Sequence, residues 1–319
     1  MTRAQGEGKE AAGKTPVVWL LTDHKPGHRN QLKGLGNRLR VLAGASLHWI
    51  DVRDTRVPAW RALVGASPSL DLPRPDLIVA AGAATHRLLL ALRRKRGANT
   101  LVLMKPSFPL WLVDGAIIPE HDGVKPGRRV FVTEGVINTM TPMAKLTSKP
   151  EALALIGGPS KHYKWDGDLV LDQLLQLMQE YPEWRWTLSG SRRTPPAVQK
   201  RLEELAGPRV TVADPERTHE DWLAHALAGC RAAWVTPDSG SMVYEALTAG
   251  LPVGIFGLQP QPSSRIARSV EDLVARDRLA RWQDHHAIMS LQRETPIPLW
   301  EADRAARWTI RNLLKGEGH

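Results

Sequence analysis

The strongest constraint on this chain is an alternation of short apolar runs with helical stretches that runs its course twice. In the first series, Val17–Leu21, Leu47–Val52, Leu77–Ala81 and Thr100–Met104 read as buried strands. Gln31–Leu42 reads as a helix, with Leu32, Leu35, Leu39 and Leu42 at spacings of three and four, and Thr85–Arg96 as another. Ile137–Leu146 is predicted as a helix leading into a linker near Ser148-Lys149-Pro150. The second series places strands at Ala152–Ile156, Trp184–Leu188, Val210–Val212, Ala232–Thr236 and Val253–Phe256. Its helices are Leu169–Glu180, Pro196–Leu205, Asp221–Leu227 and Ser241–Thr248. Such alternation favours parallel, doubly wound sheets. The expected fold is α/β: two Rossmann-like doubly wound domains facing across a cleft, with the last helix, Trp300–Leu314, crossing back to the first. The expected divisions are a tail at residues 1–15, a first domain at 16–148, a second at 149–298 and the C-terminal helix within 299–319.

A length of 319 residues suits two domains, and 42% hydrophobic residues suit a globular chain. Cys230 is the sole cysteine, which excludes an internal disulfide or a Cys-cluster metal site and favours a reducing compartment. No apolar run reaches the roughly 18 residues of a membrane span, and the first 15 residues lack the apolar core of a signal peptide. The expected location is cytoplasmic, with peripheral contact at the inner face of a membrane left open. Residues 1–150 hold 23 Lys and Arg against 11 Asp and Glu, a net +12; the remainder holds 20 against 22, a net −2. The first half therefore expects an anionic partner. No helix-turn-helix, RNP or zinc motif accompanies those cations, so nucleic acid is not the expected one. Of the 12 Trp, Trp19, Trp186 and Trp234 fall in strand patterns and are expected in the core, whereas Trp60 and Trp111 are candidate interfacial anchors. Gly8–Thr15 matches the P-loop pattern letter for letter, but a strand follows it where a phosphate site needs a helix, so it reads as tail.

Ligands of open α/β sheets sit beyond the carboxyl ends of the strands, which directs attention to the residues after each strand. After the first come Asp23, His24, Lys25, Pro26, Gly27, His28, Arg29, Asn30 and Gln31, a dense set of titratable and polar groups. Gly27 would let the backbone approach a ligand, and His28, near a helix start, suits a proton acceptor. In the second half, Asp238-Ser239-Gly240-Ser241-Met242 opens a helix whose first N–H groups could receive phosphate oxygens, with Glu245 placed for ribose hydroxyls. Two further strand ends carry Gly157-Gly158-Pro159-Ser160-Lys161-His162 and Ser189-Gly190-Ser191-Arg192-Arg193, whose hydroxyls, glycines and cations suit a diphosphate. His24, His121 and His162 have no spacing that supports a metal site.

These segments also carry a resemblance. Thr22–Gln31 (T-D-x-K-P-G-H-x-N-Q), Pro119–Val124 (P-E-H-D-G-V), Gly157–Tyr163 (G-G-x-S-K-H-Y), Ser189–Thr194 (S-G-S-R-R-T) and the D-S-G-S-M-x-x-E-A helix start together resemble the "elongated mitochondria" fission-protein family. The resemblance covers nearly all of residues 17–315. It implies a GT-B glycosyltransferase fold, with an acceptor site in the first domain and a nucleotide sugar held mainly by the second. By similarity to lipid-linked N-acetylglucosaminyltransferases, Gly27-His28 would supply the general base, Glu245 would hold ribose, and Ser239 and Ser241 would contact diphosphate. The sequence departs from those enzymes in having Lys25-Pro26 where they carry a longer glycine-rich loop.

The implied reaction has His28 or Asp23 activating an acceptor hydroxyl, with Arg192 or Lys161 stabilising the departing diphosphate. No cofactor or metal is expected, the latter on the premise that no Asp-x-Asp pair is present. The acceptor is expected to be an envelope lipid or glycan on an anionic surface. Two other readings share the fold: a non-catalytic scaffold that recruits a partner to a membrane, and a sugar-nucleotide 2-epimerase. Oligomeric state is not legible.

Overall fold

A computed structural model describes residues 15–314 apart from Arg56, Ser67, Lys95, Arg96 and Arg293; the P-loop-like stretch lies almost wholly outside them, as does the end of the basic run Arg93–Arg96. The first sheet contains β1 (Val17–Thr22), β2 (Ser46–Asp51), β3 (Leu77–Ala81), β4 (Asn99–Leu103), β5 (Gly115–Pro119) and β6 (Val130–Thr133). They lie in the order β2-β1-β3-β4-β5-β6, all parallel. Helices α1 (Pro26–Ala43), α2 (Ala59–Val64) and α3 (His86–Leu92) connect them. The second sheet contains β7 (Glu151–Leu155), β9 (Arg185–Ser189), β10 (Val210–Ala213), β11 (Ala232–Val235), β12 (Val253–Ile255) and β14 (Ala280–Arg281) in the parallel order β10-β9-β7-β11-β12-β14. Helices α4 (Gly167–Glu180), α5 (Pro196–Glu204), α6 (Trp222–Gly229), α7 (Gly240–Ala249), α8 (Arg265–Ala275) and α9 (His285–Met289) belong to it. A short antiparallel pair, β8 (Tyr163–Lys164) with β13 (Gln259–Pro260), lies outside the sheet.

Strands sandwiched between helix layers have no wet face, and β3 accordingly is buried at all five residues. Trp19, Trp186 and Trp234 are core residues as the strand pattern predicts. The last helix, α10 (Glu301–Thr309), with its irregular continuation Ile310–Leu314, returns to the first sheet. Ala302, Ala305, Ala306 and Trp308 join the core that holds Leu32, Leu35 and Leu39 of α1. Arg38 pairs with Asp303 at 2.5 Å and lies 4.3 Å from the Trp300 ring centroid, tying α1 to this helix.

Two helix expectations need correcting. α1 starts at Pro26, five residues before the predicted Gln31, because proline is preorganised for the first helical position; His28, Asn30 and Gln31 thereby become helical. Ile137–Leu146 is irregular, not helical. Asn138 Oδ1 accepts from the Met140 N–H at 2.9 Å, a local turn that competes with helix, and Pro142 lacks a donor. Its apolar residues serve both cores instead, Ile137 the first and Met140 and Leu146 the second.

Candidate functional site

Each sheet has one point where successive strands turn in opposite directions, between β1 and β3 in the first and between β7 and β11 in the second. Crevices open at such points, and the segments that the sequence singles out follow β1, β7 and β11 of these strands and β9 beside them. At the first, Asp23 stands just after β1 and is nearly buried; His28 Nδ1 lies 2.9 and 3.0 Å from its two carboxylate oxygens. A carboxylate can only accept, so Nδ1 carries the hydrogen and Nε2 is left as the proton acceptor. Gly82, after β3, has φ 91°, and a Cβ there would fall 2.2 Å from His28 Nδ1 and 2.8 Å from Asp23 Oδ2. The pair exists because this position is glycine. His24 (φ 62°) and Met104 (φ 68°) are two further left-handed residues just beyond β1 and β4, and such strain concentrates at functional sites.

Other residues of the first loop have different fates. His24 is drawn to Asp51 at the end of β2, with Nε2 2.6 Å from Oδ2. Arg53 chiefly, with help from His24, holds the Asp51 carboxyl below the usual carboxylate range. His86, beside His28, has its pKa lowered first by burial and then by the charge of His28. Asn30 faces the second domain: its amide donates to Glu245 Oε1 at 3.1 Å, and its carbonyl accepts from the Thr139 hydroxyl at 3.1 Å. Gln31, expected at the ligand, is buried and donates to Met104 Sδ at 3.3 Å, so it supports the wall from behind. Gly27 lines the interdomain cavity, and nothing stands within 4 Å of where its Cβ would be.

The second wall is built from backbone and loop packing. α7 opens at Gly240 after Ser239, and no side chain caps it, so its first N–H groups remain to be satisfied. The Ser239 and Ser241 hydroxyls stand 3.4 Å apart at this end. Asp238, read as a ligand contact, lines the first cleft cavity but is itself buried. It accepts from the Gly158 N–H at 3.1 Å and pairs with Arg193 at 2.9 Å, holding two loops together. A Cβ on Gly158 would meet the Arg193 carbonyl oxygen at 1.9 Å, and one on Gly157 would meet Asp238 Oδ2 at 2.4 Å. Loop-to-loop packing therefore already accounts for the paired glycines.

Ser189 is buried with its hydroxyl on the Gly190 carbonyl, and Gly190 packs against Gln199, so neither reaches the cleft. Ser191 is engaged with Thr194, and Ser160 accepts from the His162 N–H at 3.1 Å. Met242 packs on the second core and does not line the cavities. The premise about Asp-x-Asp is also corrected, since Asp166-Gly167-Asp168 is such a triplet. Asp166 caps α4 by accepting from Leu169 N–H at 3.0 Å, and Asp168 pairs with Arg201; neither lines the cleft cavities.

Three cavities occupy the cleft. One of about 380 Å³ runs over the α7 start and is lined by Ser160, Lys161, His162, Arg193, Ser239 and Ser241 among others. Burial, then the charges of Lys161 and Arg193, lower the His162 pKa. A second, of about 510 Å³, spans the domains and includes Gly27, Asn30, Lys33, Arg192 and Glu245; it shares Ser241 with the first. A third, of about 310 Å³, continues past Lys161 and His162 to His121 and Arg265. Glu245 is half-buried between the walls, and desolvation pushes its pKa up to about 7 despite the Asn30 hydrogen bond. The sequence placed Arg193 in the diphosphate loop but favoured Arg192 beside the leaving group, since two adjacent loop arginines give no signal of which one turns toward which cavity. Sequence reasoning missed Lys33, one helical turn beyond Asn30. The three histidines singled out earlier do not gather. Among the described residues the group able to hold a metal is Glu180, His285 and His286, none of which lines the cleft cavities.

Two parallel six-stranded sheets with crevices at facing switch points define the GT-B glycosyltransferase fold. Within that class, the chain belongs to the mitochondrial fission ELM1 family, whose model matches residues 26–313. No curated protein matches the sequence. Among solved structures it is similar to a Listeria monocytogenes protein put forward as a UDP-N-acetylglucosamine 2-epimerase. The TM-score is 0.58 at 11% identity, over 93% of this chain and 96% of that one. It is also similar to Acinetobacter baumannii MurG (TM-score 0.53, 14% identity, 94% and 100% covered). S. aureus MnaA, solved with UDP, has a TM-score of 0.52 at 13% identity, with 94% and 97% covered. At these identities the likeness is one of fold. Among the described residues no helix is long and apolar enough to cross a membrane.

Proposed function

We propose that this protein is a glycosyltransferase that moves a sugar from a nucleotide-sugar donor to a hydroxyl of an envelope lipid or glycan. The observation that carries the proposal is the Asp23–His28 pair at one switch point, with Nε2 as its accepting nitrogen, next in the chain to Gly27 and Arg29, which line the interdomain cavity, while α7 starts uncapped at the other switch point. The donor diphosphate would lie along the cavity of Lys161, Arg193, Ser239 and Ser241, where helix N–H groups and cations meet its charge. Glu245 would accept from ribose hydroxyls in the adjoining cavity, in exchange for or alongside the Asn30 amide. The acceptor hydroxyl attacks the anomeric carbon as its proton passes to His28 Nε2. The bond from that carbon to the diphosphate oxygen breaks, and the leaving charge is met by α7 and the flanking cations. Asp23 holds the imidazole in the accepting tautomer and steadies the imidazolium. The nucleotide-bound relative supports a uridine nucleotide as the first donor to try, and the +12 charge of residues 1–150 supports an acceptor on an anionic surface.

Calorimetric titration with nucleoside diphosphates and sugar nucleotides tests this directly. Binding in the micromolar range, weakened by Arg193→Ala, and sugar transfer lowered by about 10²–10⁴-fold in His28→Ala are expected. Absence of nucleotide binding at millimolar concentration would favour the scaffold. Formation of an epimerised sugar nucleotide without an acceptor would favour the epimerase.

A further inference from the structure

Outside the cleft, the first domain carries one surface that folding alone does not explain. α2 exposes Trp60 (57%), Leu63 (77%) and Val64 (52%), and a short turn at Leu110–Leu112 exposes Trp111 (71%). Between them and α3 runs a groove of about 620 Å³ lined by Ala62, Leu63, Leu90, Trp111 and Leu112. Scattered exposed apolar residues are ordinary, but several large ones gathered around a groove are not.

The charged residues that line this groove have one sign. Residues 55–70 and 77–113 contain no Asp or Glu, and Arg61, Arg87, Arg93 and Arg94 stand on or beside α2 and α3. The arginines are held in place: Arg93 donates to the carbonyls of Ala62 and Leu63, Arg94 to that of Val64 at 3.1 Å, and Arg61 lies 5.5 Å from the Trp60 ring centroid. A symmetric contact with a second copy would set these cations against one another. A nucleic acid would satisfy the arginines but leave Leu63 and Val64 against phosphate and sugar.

We propose that this face docks on an anionic lipid bilayer, with Trp60, Leu63, Val64 and Trp111 entering the headgroup boundary and the arginines meeting lipid phosphates. Amphipathic Trp rings and arginines with apolar stems suit that boundary. The surface leads toward the site: Phe108, three residues before Trp111, packs edge-on against His86 at 4.9 Å between ring centroids, and His86 opens α3 four residues after Gly82, whose Cβ position abuts His28. A lipid-borne acceptor would thus be delivered to the first-domain wall. The proposal rests on the membrane-presented acceptor of the preceding section, but docking itself needs no turnover.

Vesicle co-sedimentation of the full chain tests it, using phosphatidylcholine vesicles with and without about one-third phosphatidylglycerol. The wild type is expected to bind the anionic vesicles, less so as salt rises. Trp60→Ala with Trp111→Ala is expected to reduce partitioning at least about tenfold, and Arg87→Glu severalfold, with thermal unfolding unchanged. UDP titration of the same preparations separates the two claims. UDP binding without vesicle binding overturns the docking face and leaves the transferase standing; vesicle binding without nucleotide binding does the reverse. Equal binding to neutral vesicles, or a double Trp variant that sediments like the wild type, also overturns the docking face.

Discussion

The two walls of the cleft differ in kind. The first-domain wall presents side chains, an aspartate and a histidine locked together and left room by a glycine at φ 91°. The second-domain wall works with backbone: an uncapped helix start and two glycines wedged against neighbouring loops, with Asp238 and Arg193 as the pins. The difference fits a division of labour in which one wall moves a proton and the other holds charge. Proton transfer needs one titratable group in a fixed geometry. Diphosphate recognition can be spread over amides and cations, none of them indispensable.

The largest effect should therefore come from the smallest chemical change on the first wall. His28→Ala is expected to lower turnover by about 10²–10⁴-fold, the usual range for a lost general base, while the donor dissociation constant moves less than about threefold. Asp23→Asn keeps the shape but lets the imidazole adopt the other tautomer, and should approach the same loss. Steady-state kinetics beside titration calorimetry would show it. Equal losses in binding and turnover would break the division between the walls.

A matched pair of glycine substitutions sharpens it further. At Gly82 an added Cβ meets His28 Nδ1 at 2.2 Å, and at Gly158 one meets the Arg193 carbonyl at 1.9 Å. Gly82→Ala should chiefly reduce turnover by displacing the histidine. Gly158→Ala should chiefly raise the donor dissociation constant, because it pushes apart the loops that carry Lys161 and Arg193. Each is expected to cost about 1–3 kcal/mol of stability by overpacking, read by urea denaturation.

Much of this was legible in the sequence, for identifiable reasons. Strand and helix periods marked most strands of both sheets, and the strand-end rule pointed to Ser239, Ser241 and Glu245, which line the cleft cavities, and to Asp23 and His28, which pair with each other after β1. What escaped depended on partners far along the chain. Asn30 and Glu245 are 215 residues apart and meet only when the domains face each other. Gln31 looked like its neighbour Asn30, but one step around a helix turned it inward to Met104. Gly157-Gly158 looked like a phosphate cradle, yet its steric demand comes from Asp238 and Arg193. β5 and β6 were hidden because proline and glycine crowd residues 106–127 around them.

Glu245 belongs to neither wall alone, and its titration measures how far they enclose it. Burial keeps the proton on Glu245 up to about pH 7, whereas an exposed glutamate releases it near 4.5. Its contribution to stability is therefore complete below about 4.5 and is lost as pH rises through about 7. Allowing for its solvent-facing edge, that amounts to about 1–2 kcal/mol. Glu245→Gln should remove this slope, leaving the variant more stable than wild type at pH 8 by about 1 kcal/mol and equal to it near pH 4.5. Donor affinity in the variant should fall and lose its rise between pH 6 and 8, since a neutral amide cannot replace an ionised acceptor pair. Denaturation and calorimetry at several pH values give both curves, and parallel wild-type and variant stability curves would show that the walls do not enclose this group.

The smallest effect is expected at the rim, where charges also cross between the walls. Arg276 on the edge of the second domain pairs with Glu120 at 3.1 Å and with Glu134 at 3.3 Å, and Arg265 pairs with Asp122 at 3.0 Å. These arginines are about half exposed, so solvent and salt screen them, and exposed pairs contribute about 0.2–1 kcal/mol. Arg276→Ala should thus lower stability by less than about 1 kcal/mol, with the difference vanishing at high salt. Turnover should stay within about twofold of wild type, since Arg276 pairs with neither the Asp23–His28 pair nor the residues proposed to hold the donor. If the variant instead weakens donor binding as much as Glu245→Gln does, the rim pairs are what keep the two walls at working distance. The contrast between them would then depend on domain closure as much as on the residues each wall presents.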